Sequence, residues 1–140
     1  MSKTQRQLVY EAVLPYAQDN FKKITVKAGR YDGSQKCHHI SRQILEDGNA
    51  DNVSVTLSFL PNSGVNVHFI NKINGEYVDH TLGYLSKKNN YYLISEHKLA
   101  ELKKIDVHML KMLINIKKDI LNKVFNAEEL KKYKIDTSHI

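Results

Sequence analysis

Asn74-Gly75, set between two alternating apolar runs in VNVHFINKINGEYVDHTLGYL (residues 65–85), constrains this chain's fold more than any other feature. Asn-Gly is the preferred pair for a two-residue type I′ turn, where both positions need positive φ. A β-hairpin follows, and the loop length fixes its register: Ile73 opposite Glu76, Ile70 opposite Asp79, His68 opposite Thr81. His68 and Asp79 then share one face as diagonal neighbours, about 7–8 Å apart at the backbone and within side-chain reach. Val65, Val67, Phe69, Ile73, Val78 and Leu82 take the other face.

Upstream, residues 4–20 read as a helix through Leu8, Val9, Ala12, Val13 and Tyr16, which Pro15 should kink or interrupt. Residues 21–28 alternate as a short strand or extended arm. The turn-rich stretch GRYDGS precedes a second helix, with Cys37 in its first turn, Ile40, Ser41 and Ile44 at helical spacing and Gly48-Asn49 as its stop. Residues 53–60, VSVTLSFL, alternate as a strand, and residues 91–94 make another. From Ser95 the pattern turns helical. Met109, Leu113, Ile116, Ile120 and Val124 form the apolar stripe of a long segment. Asn126 and Glu129 make a capping box for a last short helix, and the tail from Lys134 should fray.

The expected architecture is α+β: an antiparallel sheet of three or four strands, a cysteine-bearing helix packed on it, and flanking N- and C-terminal helices. Residues 1–140 read as one domain, with 96–134 its C-terminal helical part, a size suited to one core. Hydrophobic residues make up 41% and charged residues 26%, as in a soluble globular chain, and no run approaches the roughly 18 apolar residues of a membrane span. No secretory leader is recognisable, so the chain reads as cytoplasmic. One cysteine rules out an internal disulfide and any zinc site needing two thiolates.

The chemistry legible in these pieces is that of an activated thiol. A helix start and a histidine both favour a thiolate, and a carboxylate orients the histidine. Cys37, His68 and Asp79 supply the three groups in that order. On GSQKCHHIS, VHFIN and EYVDHTLGY, within residues 33–94, the chain resembles the transglutaminase-like branch of the papain-like cysteine hydrolase superfamily. The resemblance implies Cys37 as nucleophile, His68 as general base and then acid, and Asp79 as orienting acid. It gives Thr81 and Gly83 the shaping of the following turn. His80 stands where the family usually carries proline. Gln35, His38 and Thr81 are the candidates for substrate or oxyanion contacts, beside the main-chain N–H groups at the helix start.

Plainer readings stand beside these. Cys37 can be a small buried hydrophobe, and His68 and Asp79 polar residues on the wetter side of a sheet. Adjacent helical residues point about 100° apart, so Cys37, His38 and His39 do not converge on a metal ion, and none is expected. The leading expectation is a thiol hydrolase or acyltransferase acting on an amide bond of a protein or peptide, without cofactor. The alternative is an inactive scaffold of the same kind, in the style of a phage or mobile-element accessory protein, whose net charge of +6 engages nucleic acid or an acidic protein.

Overall fold

In a computed structural model of the chain, residues 3–29, 37–60, 64–80, 89–101 and 109–140 are described, the side chains of 37–40, 109 and 110 excepted. The first helix, α1 (Gln5–Asn20), opens on a reciprocal cap between Thr4 and Gln7. It buries Val9, Val13 and Ala17, spaced four apart on one stripe. α1 continues past Pro15, so the interruption allowed for there does not occur. That residue is exposed, so the donor it lacks and the carbonyl it displaces face water instead of the core.

The sheet is larger than the sequence suggests and is mixed, where a smaller antiparallel one was expected. Its strands are β1 (Lys22–Ile24), β2 (Val26–Ala28), β3 (Asn52–Leu60), β4 (Gly64–Ile73), β5 (Glu76–Asp79) and β6 (Asn90–His97), in the order β1-β6-β3-β4-β5-β2. β1 pairs antiparallel with β6 and β2 pairs parallel with β5, although only Thr25 separates β1 from β2. One extended segment therefore touches both edges, and the sheet curls back on itself around it. The directions agree: β3 and β5 run the same way, and residues 22–28 run with them.

The Asn-Gly hairpin forms as expected. Asn74 and Gly75 have φ of 50° and 81°, and Ile73 pairs with Glu76. β6 continues to His97, beyond the point at which the sequence turns helical. Val55 pairs with Ser95 but Thr56 with Leu93, so Ile94 is an extra bulged residue. The bulge breaks the alternation that would have marked Ser95 to His97 as strand.

Strand alternation divides the interior in two. Val53, Val55, Leu57, Phe59, Val65, Val67, Phe69 and Tyr92 pack with Val9, Val13, Ala17, Leu45, Ile120, Leu121 and Phe125 into the core between sheet and helices. The other face curls around a smaller cluster of Ile24, Ile70 and Tyr91. Ser54, Thr56 and Ser58 point to that side and are buried with it. The second helix, α2 (Cys37–Glu46), is anchored on the helix-side face. Leu45 enters the larger core, and Asn71 Nδ2 donates to the Ser41 carbonyl at 2.8 Å and the Asn52 carbonyl at 3.2 Å.

The chain ends on α3 (Met109–Val124) and α4 (Ala127–Tyr133), the latter capped by Asn126 and Glu129 as expected. The tail is docked, not frayed. Ile135 and Ile140 are buried in the main core, and a 3-10 turn at Thr137–His139, capped by Asp136, shapes the chain between them. Arg6 donates from Nη2 to the Ser138 carbonyl at 3.2 Å, tying the tail to α1. No helix among the described residues is long and apolar enough to cross a membrane.

Candidate active site

His68 sits midway along β4 and points into the curl of the sheet. Asp79 is the last residue of β5 and points to the same side. His68 Nε2 lies 2.8 Å from Asp79 Oδ2, so the hairpin register joins the two residues as expected from the sequence. They are not on a wetter face: His68 is 7% exposed and Asp79 0%. Because the sheet closes over them, this face needs no covering helix.

A buried carboxylate requires donors, and a second one arrives from β6. Tyr91 Oη–H donates to the same Oδ2 at 2.7 Å, with its ring centroid 6.5 Å from that of His68. Burial above all, then the charge of Asp79 and the bond to it, push the Tyr91 hydroxyl far above the ordinary phenol range. Tyr91 therefore stays a donor. Ser58 and Asn89 lie near the same hydroxyl and act on its pKa in the opposite sense, downward, and Asn89 Nδ2 donates to Ser58 Oγ at 2.8 Å. Thr56 Oγ1 donates to the His68 carbonyl at 2.8 Å, steadying β4 where the imidazole leaves it.

If Nε2–H donates to an ionised Asp79, the lone pair of the neutral imidazole falls on Nδ1.

The pair lies toward the end of the sheet where β5 and β2 stop. Gly29 N–H, just past β2, donates to the Asp79 carbonyl at 2.8 Å and ties the two strand ends together. From Gly29 the chain reaches Cys37 after residues 30–36, and the far end of α2 leads to Asn52 at the opposite end of the sheet. The cysteine-bearing helix packs on the sheet, but not on the face that bears His68 and Asp79, because Ser41 and Leu45 fix it to the helix-side face. Any approach from the start of α2 to His68 is over the rim of the sheet.

Cys37 is the first residue of α2, as the sequence predicts, and His38 the second. Their side chains lie outside the described residues, as do Gln35, Thr81 and Gly83 altogether. Among the described residues there is no group of three or more His, Cys, Asp or Glu able to hold a metal ion. Sequence reasoning missed Tyr91, Ser58 and Asn89. One signal was available: the polar face of residues 53–60 carries only Ser54, Thr56 and Ser58, without a charge, which suits a covered face better than a wet one. No protein-family model, curated protein or solved structure matches the chain.

Proposed function

We propose that the chain is a thiol hydrolase or acyltransferase of the papain-like, transglutaminase-like kind, acting on an amide bond of a protein or peptide. The observation that carries this reading is the buried His68–Asp79 pair, hydrogen-bonded at 2.8 Å. Cys37 at the start of a ten-residue helix supports it, because the helix dipole and the N–H groups of the first turn favour a thiolate. In the proposed reaction His68 Nδ1 takes the proton from Cys37 Sγ, and the thiolate adds to the amide carbonyl. His68 then returns the proton to the leaving amine as the C–N bond breaks, which leaves an acyl-thioester for water or another amine. Main-chain N–H groups at the start of α2 are the proposed oxyanion donors.

Cys37 is the only thiol, so its alkylation by iodoacetamide reads the site directly. The expected result is alkylation at pH 6–7 at least about tenfold faster than that of a free-cysteine peptide, lost in His68→Ala. Equal rates in protein and peptide from pH 5 to 9, unchanged by His68→Ala, would sink the reading. A second reading, an inactive scaffold that binds an anionic partner, draws on the net charge of +6 and on exposed Lys22 and Lys23 beside the seam between β1 and β2. An unreactive thiol with salt-sensitive retention of nucleic acid would favour it.

A further inference from the structure

We infer that Tyr91 is a positioning residue of the candidate site, its hydroxyl holding Asp79 Oδ2 on His68 Nε2 so that Nδ1 remains the basic nitrogen. The inference rests on the thiol-chemistry reading for its purpose, but its geometry is independent of Cys37. Two donors converge on one oxygen: His68 Nε2 at 2.8 Å from β4 and Tyr91 Oη at 2.7 Å from β6. Asp79 comes from a third strand, so the cluster is held from three sides of a closed sheet. Tyr91 is 2% exposed, and its ring belongs to the small interior cluster with Ile24 and Ile70. The hydroxyl has little freedom to turn away.

The chemical consequence follows from sharing an acceptor. A carboxylate oxygen that already accepts from a phenol is a weaker proton acceptor, so the proton between Asp79 and His68 stays on Nε2. The carboxylate still fixes the ring and its tautomer. Without the phenol, Oδ2 would attract the imidazole proton more strongly and stabilise the imidazolium, taking Nδ1 out of action as a base over a wider pH range. Ser58 and Asn89, near the Tyr91 hydroxyl and bonded to each other, favour the same polarisation by drawing the pKa of that hydroxyl downward.

The other titratable side chains that strand alternation directs to this side, among the described residues, are Tyr77, Glu96, Lys72 and Lys22. The first three engage one another: Tyr77 Oη donates to Glu96 Oε1 at 2.6 Å, and Lys72 Nζ lies 3.6 Å from the same oxygen. Lys22 is exposed at the start of β1. Otherwise β1 and β2 bring Ile24 and Val26 to the interior cluster. His80, next to Asp79 in the chain, lies with Val78 against Gly29.

The test is the ¹⁵N spectrum of His68, followed through a pH titration in the full chain, Tyr91→Phe and Ser58→Ala. The expected result is a neutral Nε2–H tautomer in the unaltered chain. The His68 midpoint should rise by about half a unit or more in Tyr91→Phe, and by less, in the same direction, in Ser58→Ala. Cys37 alkylation should follow, its pH profile moving up with the His68 midpoint. An Nδ1–H tautomer, or a midpoint unmoved in both variants, overturns the inference. If Tyr91→Phe does not fold, Ser58→Ala decides alone. The spectrum does not depend on the thiol, so an inert Cys37 with a shifted His68 would count against the hydrolase reading and leave the positioning geometry standing.

Discussion

Asn71 Nδ2 donates to the main-chain carbonyl of Ser41 at 2.8 Å, a bond between a fully buried strand side chain and the middle of the cysteine-bearing helix. The same amide reaches the Asn52 carbonyl at 3.2 Å, so one side chain ties together α2, β3 and β4. Asn71→Ala leaves two carbonyls without this donor in a place closed to water. The expected loss is about 2–3 kcal/mol, read as a lower urea midpoint with an unchanged slope. Asn71→Leu should cost a similar amount, because it restores volume but not donors. If Asn71→Leu is as stable as the unaltered chain, packing and not hydrogen bonding holds α2 in place.

Tyr77 gives a pH-dependent prediction. Burial first, then the hydrogen bond to Glu96 and its charge, push its hydroxyl from 10.0 up to about 12. The folded-state value is raised, so the contribution to stability is complete below pH 10 and is lost as the pH rises from about 10 to about 12. Tyr77→Phe should be less stable at pH 8 by about 1 kcal/mol, and the gap should narrow by pH 11. Urea unfolding of both chains at the two pH values measures it, and a gap that widens at pH 11 refutes it.

Gly29 is required by close approach. A Cβ there would stand 2.7 Å from His80 Nδ1 and 2.8 Å from Val78 Cγ1, both held on the end of the hairpin. Gly29→Ala must therefore displace the His80 and Val78 side chains or move β2 from β5, the latter weakening the Gly29 to Asp79 bond that closes the sheet at the candidate site. An expected cost of about 1–3 kcal/mol would appear as a lower thermal midpoint. The outcome that removes this account is an alanine variant as stable as the unaltered chain.

What was legible in the sequence was local. Asn74-Gly75 specified the hairpin, its register and the His68–Asp79 pair, because a two-residue turn leaves no freedom to slip. Cys37 fell at a helix start because GRYDGS and the spacing of Ile40, Ser41 and Ile44 mark one. Closure of the sheet was not legible. It depends on residues 22–28 pairing with β6 on one side and β5 on the other, and short alternating stretches do not name their partners. Tyr91 was hidden for the same reason: its role depends on β6 reaching the far side of the curl from β4. The bulge at Ile94 hid the rest of β6 by breaking a period that sequence reading relies on.

Ile135 and Ile140 show how the same limit applies at the tail. Polar and charged neighbours make KIDTSHI read as a solvated end, yet both isoleucines are buried in the core shared by α1, α3 and the sheet. The 3-10 turn between them is capped by Asp136, whose carboxyl is held below its ordinary range chiefly by its bond from the Ser138 hydroxyl. Truncating either isoleucine removes apolar volume from a packed site, so Ile135→Ala and Ile140→Ala should each cost about 2–4 kcal/mol. Both would lower the urea midpoint, and amide exchange in α1 should quicken because Val9 and Val13 share that core. Near-neutral alanine variants with unchanged exchange would mean the tail rests on the fold without stabilising it.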